Sequence, residues 1–272
     1  MKFKKLRKIY RILFPLKLTE VQIFKNKLLS NPLISYIEDD NDTFIITFSK
    51  NYKVVVRNHN HSDYDVFKQI FNFEEYKIIV SLLINNPPFL QGEKVLIDAG
   101  ANVGYSTVYF SNHNIFSKTF CIEPSSSNVE VLRKNINLMD ISNNIFIYEN
   151  ALCGTENIRF ELGKSFRDGR DWSNTTNENY NGTISGITIN QIVRDNNLKE
   201  ITFLKVDIEG AERFVFNNEI DISFLNITKI IAIEIHDEFL IREVICKILK
   251  EKGFLILESG ELTIGIDKSI IR

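Results

Sequence analysis

The sequence has few cysteines, no long apolar run and almost no net charge, and each lack closes off a class of protein. Its three cysteines, Cys121, Cys153 and Cys246, are widely spaced and odd in number, and each lies in or beside an apolar stretch. That arrangement fits buried, reduced thiols in a cytoplasmic protein and argues against a disulfide framework or a thiolate metal site. No apolar run reaches the roughly 18–20 residues a membrane span needs. The formal net charge is −2, so there is no overall electrostatic case for a nucleic-acid partner. Internal repeats and low-complexity tails are also missing. The 272 residues suit one large domain with an appendage.

The first fourteen residues mix Lys2, Lys4, Lys5, Arg7, Lys8 and Arg11 with Leu6, Ile9, Ile12, Leu13 and Phe14. Charge interrupts the apolar part before a signal-peptide core can form, and no cleavage site follows. An amphipathic helix is expected, packed on the domain or in weak contact with anionic lipid.

Periodicity divides the chain into an N-terminal helical and β-meander extension (1–75) and a larger domain (76–272). In the extension, residues 1–30 read as helix broken near Pro15. Short strands are expected at 33–38, 43–49 and 52–57. Asp63 or Asp65 is placed to cap a helix carrying Val66, Phe67, Ile70 and Phe71. A further helix through 74–84 stops at Asn86-Pro87-Pro88-Phe89.

From residue 94 the pattern alternates strand and helix, which predicts a parallel sheet covered on both faces. Strands are expected at 94–98, 118–123, 144–149, 202–207, 229–235, 253–258 and 262–267. Helices are expected near 105–112, 126–137, 188–196, 210–217 and 238–251. Residues 156–162 suit an extra strand. Ser259-Gly260 makes the last two strands a hairpin, so the last strand runs antiparallel. The fold class is therefore α/β, a Rossmann-like doubly wound sheet of seven strands. Residues 163–185 carry no periodicity, and Arg167, Arg170, Trp172 and Tyr180 there suit either a glycan site or a polar loop with no role.

The chemistry centres on Val95-Leu96-Ile97-Asp98-Ala99-Gly100-Ala101-Asn102-Val103-Gly104-Tyr105-Ser106. It reads as a buried strand, a tight turn and a helix start. Gly100 and Gly104 let the backbone turn and approach a ligand, and the helix start suits an anionic group. A dinucleotide turn needs G-x-G-x-x-G, and Asn102 stands where its second glycine would be, so NAD is disfavoured. S-adenosylmethionine (SAM) has no phosphate, and Asp98 can meet its ammonium directly or through water. Asp98, Gly100, Ala101, Asn102, Gly104, Tyr105 and Ser106 are thus cofactor candidates. Glu123, before Pro124 at the end of the second strand, can take both hydroxyls of a ribose. Ala151, after the third strand, lies on the adenine side.

The fourth strand ends in Lys205-Val206-Asp207-Ile208-Glu209-Gly210-Ala211-Glu212, with acids at and past its carboxyl edge. Asp207, also beside the cofactor turn, or Glu209 can take a proton from an attacking hydroxyl. Glu234 and His236 project to the same side of the fifth strand. His236 can act as a base or orient the acceptor, or be a solvated cap of the next helix. These four side chains could hold a divalent metal, but nothing in their spacing demands one, and none is expected.

The runs Leu96–Ser106, Ile122-Glu123-Pro124, Leu204–Glu212 and Ile233–His236 resemble the FkbM family of SAM-dependent methyltransferases over roughly residues 80–250. The segment Asp65 to Tyr76 is similar to the region upstream of that domain in many members. The resemblance implies SAM as cofactor and methylation of a hydroxyl, often on a sugar, polysaccharide precursor or secondary metabolite. The rivals are methylation of another small molecule or of nucleic acid, and a SAM-binding module without turnover. Asn86-Pro87-Pro88-Phe89 matches the catalytic loop of amino-methylating DNA methyltransferases, but that place belongs to Asp207–Glu212 here.

Overall fold

The computed structural model describes residues 18–49, 52–139, 144–162, 176–178, 181–217 and 219–271. The basic segment before Leu18, and Arg167, Arg170, Trp172 and Tyr180, lie outside them.

Helix α1 (Glu20–Leu29) starts at a capping box in which Thr19 and Gln22 satisfy each other's backbone amides. It buries Phe24 and Leu28, one turn apart. Strands β1 (Ile34–Asp40), β2 (Thr43–Phe48) and β3 (Lys53–Arg57) form an antiparallel meander. In β2 every second residue, Phe44, Ile46 and Phe48, points inward, as period-2 alternation requires. The outer edge of β3 is closed by side chains. The Val55 amide donates to Asn135 Oδ1 at 2.6 Å, and the Val55 carbonyl accepts from Tyr105 Oη at 2.8 Å. An edge so occupied cannot recruit another strand.

Helix α2 (Asp63–Phe67) runs into a π-helical turn, Lys68–Asn72. Neither Asp63 nor Asp65 caps α2; the cap position is Ser62, with no side-chain bond. Asp63 is buried instead. It accepts the Arg57 amide at 2.8 Å and the Arg57 guanidinium at 2.7 Å. A buried charged pair outcompetes a surface cap, since either partner alone would be costly. Helix α3 (Lys77–Asn85) ends at Pro87 and Pro88, which continue as a 3-10 turn. The Asn-Pro-Pro-Phe run is thus a helix stop.

The remaining elements alternate. They are β4 (Val95–Ala99), α4 (Tyr105–Ser111), β5 (Lys118–Ile122), α5 (Ser126–Asn137), β6 (Ile145–Tyr148), β7 (Ala151–Leu152), β8 (Arg159–Leu162), β9 (Thr176–Glu178), β10 (Ile184–Ile187), α6 (Ile189–Asp195), β11 (Ile201–Val206), α7 (Glu212–Val215), β12 (Thr228–Glu234), α8 (Arg242–Glu251), β13 (Phe254–Ser259) and β14 (Leu262–Asp267). The main sheet has seven strands in the order β13-β14-β12-β11-β4-β5-β6. Strand β14 runs antiparallel to both neighbours; the other pairings are parallel. This is the class I methyltransferase fold. The short strands β7, β10, β8 and β9 make a separate small sheet.

Adjacent residues of the central strands feed opposite cores. Leu96, Phe203 and Ile230 join Phe24, Phe48, Val54 and Phe67 of the extension in one cluster. Ile97, Leu204 and Ile231 join Ile192, Ile245 and Leu249 in the other. Each such side chain contributes about 1.5–3 kcal/mol on burial. Both faces are covered, so β4 and β11 are buried along their whole length. The chain steps outward from β4 through β5 to β6, then returns to the other side of β4 at β11. That reversal opens a crevice beyond the carboxyl ends of β4 and β11. No helix of the described residues is long and apolar enough to cross a membrane.

Candidate active site

A cavity with about 970 Å³ of open space lies at that reversal. One wall is built by the turn after β4 and the end of β5. The Gly100 and Ala101 amides both donate to the Ile122 carbonyl, and the Gly104 amide donates to the Ala101 carbonyl. The Asn102 amide donates to Glu123 Oε2 at 2.9 Å. Asn102 sits at φ 49°, a left-handed conformation that asparagine tolerates better than most residues. Glu123 Oε1 accepts from the Ser125 amide at 3.0 Å and from Asn128 Nδ2 at 3.1 Å. Burial raises the Glu123 carboxyl against the pull of these donors. Gly100, Ala101, Asn102, Tyr105, Ser106, Glu123, Pro124 and Ala151 all line the cavity, as does Leu152.

The protein's own packing requires both glycines. A Cβ on Gly100 would stand 1.6 Å from the Asp207 carbonyl oxygen. A Cβ on Gly104 would stand 2.3 Å from Leu132 of α5, and Gly104 is not part of the cavity wall. Asp98 is also outside the wall, fully buried. Its Oδ2 accepts from Ser106 at 2.6 Å and Thr107 at 2.7 Å. Asp98 thus sits behind the cavity, in contact with Ser106 and Lys205, which do line it. Tyr105 contributes a wall, but its hydroxyl turns away to Val55.

The opposite wall is acidic. Asp207 and Glu209 follow β11, Glu234 ends β12, and Glu75 enters from the turn before α3. Lys205 stands between the walls. Its Nζ donates to the Gly100 carbonyl at 2.8 Å and pairs with Asp98 at 3.3 Å and Asp207 at 3.5 Å. Burial disfavours its charge, but Asp98 and Asp207 outweigh burial and hold it protonated. The chain then bends through two left-handed residues, Glu209 at φ 53° and Gly210 at φ 86°. For Glu209 this strain costs about 1–3 kcal/mol. It brings Glu209 Oε2 to 3.2 Å from His236 Nε2.

His236 is not in the cavity wall and is 2% exposed. Its Nδ1 donates to Glu212 Oε1 at 3.1 Å. Burial alone would lower its pKa, but Glu209 and Glu212 push it up to about 11. His236 is buried between two acids that favour its charged form, so it is not a solvated helix cap. It is the counterion that holds Glu209 and Glu212. Burial, then repulsion from Asp207, pushes Glu234 up to about 9.

The methyltransferase FkbM domain model matches residues 98–256, more than half of the chain. The protein belongs to the FkbM methyltransferase family. The FkbM chain is 24% identical over 219 residues to methyltransferase sdnD of Sordaria araneosa, covering 70% of this chain and 81% of that one. It is also similar to the FkbM methyltransferase structure from Methylobacillus flagellatus, with 14% identity and a TM-score of 0.38, over 64% of this chain and 43% of that protein. A putative caffeoyl-CoA O-methyltransferase from Staphylococcus aureus is similar with 10% identity and a TM-score of 0.43, over 98% of this chain and 99% of that one. The activity of this FkbM protein is methyl transfer.

Sequence reasoning missed two charged members of the cavity wall, Lys205 and Glu75. Lys205 left a signal, a lone charge inside Phe203-Leu204-Lys205-Val206 of a strand expected to be buried. Glu75 left no signal in spacing or periodicity, because only the packing of the extension brings it to the cavity.

Proposed function

We propose that this FkbM protein is a SAM-dependent O-methyltransferase acting on a hydroxyl of a saccharide or polysaccharide precursor. One observation carries the reading. A single cavity joins a nucleoside-sized wall ending in a buried carboxylate, Glu123, to a wall of acids at the ends of β11 and β12. Glu123 is held rigid by three donors and keeps lone pairs for a ribose diol. Ala151, Leu152 and Pro124 give the apolar flank a purine needs. The donor set fits SAM better than a phosphate-bearing cofactor. The amides of Gly100, Ala101, Asn102 and Gly104 are all donated within the protein, so the turn offers a pyrophosphate little.

When bound, SAM supplies a methyl group already activated on a sulfonium. The chain's own residues do the rest. Glu123 and the turn fix the nucleoside. The carboxylates of Asp207 and Glu209 face the cationic side, where negative charge steadies a sulfonium. Each has a cationic partner, Lys205 and His236, so we assign both to holding and orienting the acceptor hydroxyl. Glu234, protonated near neutral pH, can donate a hydrogen bond to that hydroxyl's neighbours.

Calorimetry with SAM and S-adenosylhomocysteine tests the cofactor, with micromolar binding expected. Untargeted mass spectrometry of glycans from cells with and without the protein tests the acceptor. A gain of one methyl mass on a sugar hydroxyl is expected; a gain confined to nucleic acid or protein would refute the saccharide reading.

A further inference from the structure

Beside the cavity runs a second hollow, with about 1260 Å³ of open space. It lies between the turn leading into α3 and the β13–β14 hairpin, and its rim includes Phe73, Ile78, Ser81 and Glu261. Two residues, Gln69 and Glu75, line both spaces. They mark the junction where a molecule lying in the hollow would reach the cofactor. Glu75 is positioned by its amide, which donates to the Gln69 carbonyl at 3.2 Å.

We propose that this hollow is the acceptor subsite and that Glu75, at its inner end, takes the proton of the attacking hydroxyl. The proposal rests on the saccharide O-methylation reading above. The acceptor oxygen forms the new O–CH3 bond as the C–S bond breaks. The sulfur leaves as a neutral thioether, and the hydroxyl proton passes to the Glu75 carboxylate. Among the cavity acids Glu75 is suited by its neighbours. Asp207 pairs with Lys205 and Glu209 with His236, while no ion pair engages Glu75 among the described residues.

Charged groups face Glu75 from every side. Asp207 and Lys205 approach from β11, Glu234 from β12 and Glu261 from the hairpin. Glu74 and Lys77 flank it on its own segment and pair with each other. Burial, then Asp207 and Glu261 against Lys205, brings the Glu75 carboxyl to about 7, where a base works best at neutral pH. The same acids set the acceptor's chemistry. With Glu74 offset by Lys77, the rim keeps Glu75 and Glu261, which repel anionic sugars and suit a neutral or amino-substituted saccharide. Phe73, 73% exposed at the rim, offers a ring face for a sugar to lie on.

The test compares wild type, Glu75→Gln and Ser81→Trp. Labelled SAM is the donor, and the glycan fraction of cells lacking the gene is the acceptor pool. S-adenosylhomocysteine binding is measured for each protein. Glu75→Gln should bind S-adenosylhomocysteine as wild type does and lose about 100-fold or more of its transfer rate. The wild-type rate should rise with pH through about 7, and that rise should vanish in the residual rate of the variant. Ser81→Trp, which fills the hollow away from Glu75, should raise the acceptor KM without changing S-adenosylhomocysteine binding. The labelled product should pass through an anion-exchange column.

Full activity or an unchanged pH profile in Glu75→Gln overturns the base. An unchanged KM in Ser81→Trp overturns the subsite, and an anionic product overturns the acceptor class. Activity lost on chelation, restored by magnesium and insensitive to magnesium in Glu75→Gln, would make the acid a ligand and also overturn the base. If wild type binds S-adenosylhomocysteine but moves no label to the glycan fraction, the saccharide reading falls with the proposal. If label moves equally well in both variants, the proposal falls alone.

Discussion

The two walls of the cavity are built on opposite electrostatic terms. On the wall formed by the β4 turn and Glu123, polar groups are satisfied: four turn amides have acceptors and Glu123 accepts three donors. On the wall formed by β11, β12 and Glu75, like charges crowd together. Glu75 and Glu234 are pushed up by burial and by their neighbours, and Glu209 is backbone-strained. A satisfied wall holds a ligand in one pose. A frustrated wall stores groups whose protonation can change, which is what proton transfer needs. Lys205 belongs to both, since it ties the Gly100 carbonyl and Asp98 to Asp207.

The comparison breaks most severely at that shared residue. Lys205→Met should cost about 3–5 kcal/mol, because it leaves Asp98 buried without a cation. Urea unfolding checks it, and a loss under 1 kcal/mol would mean that the two walls are independent. Next comes His236→Gln, which removes the counterion of Glu209 and Glu212. The His236 pKa is raised on folding, so its stabilisation is full below the unfolded value of 6.5 and is lost as pH rises through about 11. Melting temperatures of wild type and variant should therefore differ most below pH 6.5 and converge toward pH 11.

Glu234→Gln sharpens the contrast in the other direction. A carboxyl raised on folding favours the native state below its unfolded pKa, 4.5, and that contribution fades as pH climbs to about 9. The variant should melt higher than wild type by a margin that grows across that window. A margin independent of pH would mean that Glu234 is not held protonated. The smallest effect is expected on the satisfied wall. Glu123→Gln keeps the shape but loses the anion, and should weaken S-adenosylhomocysteine binding about tenfold, or 1.4 kcal/mol.

Much of this was legible in the chain. The strands of the main sheet were expected at β4, β5, β6, β11, β12, β13 and β14 to within a residue or two. Buried parallel strands announce themselves as short apolar runs, and Gly or Pro punctuates them. Helix α7 was shorter than expected, Glu212–Val215, because Glu209 and Gly210 spend two residues on the left-handed bend. Asp63 was misread as a cap because sequence spacing does not show that Arg57 lies against it. The burial of His236 between Glu209 and Glu212 was hidden for the same reason: those acids come from a different strand end.

The order of apolar runs, glycines and acids along the chain was enough to determine the α/β sheet, its antiparallel last strand and the family. Local pattern dictates local structure, and buried strands admit few arrangements. Tertiary structure alone decided which acids are crowded together, that Asp98 lies buried behind Ser106 and Lys205, and that Glu75 reaches the cavity. Protonation and contact depend on what burial places within a few ångströms, and residues far apart in sequence supply those neighbours.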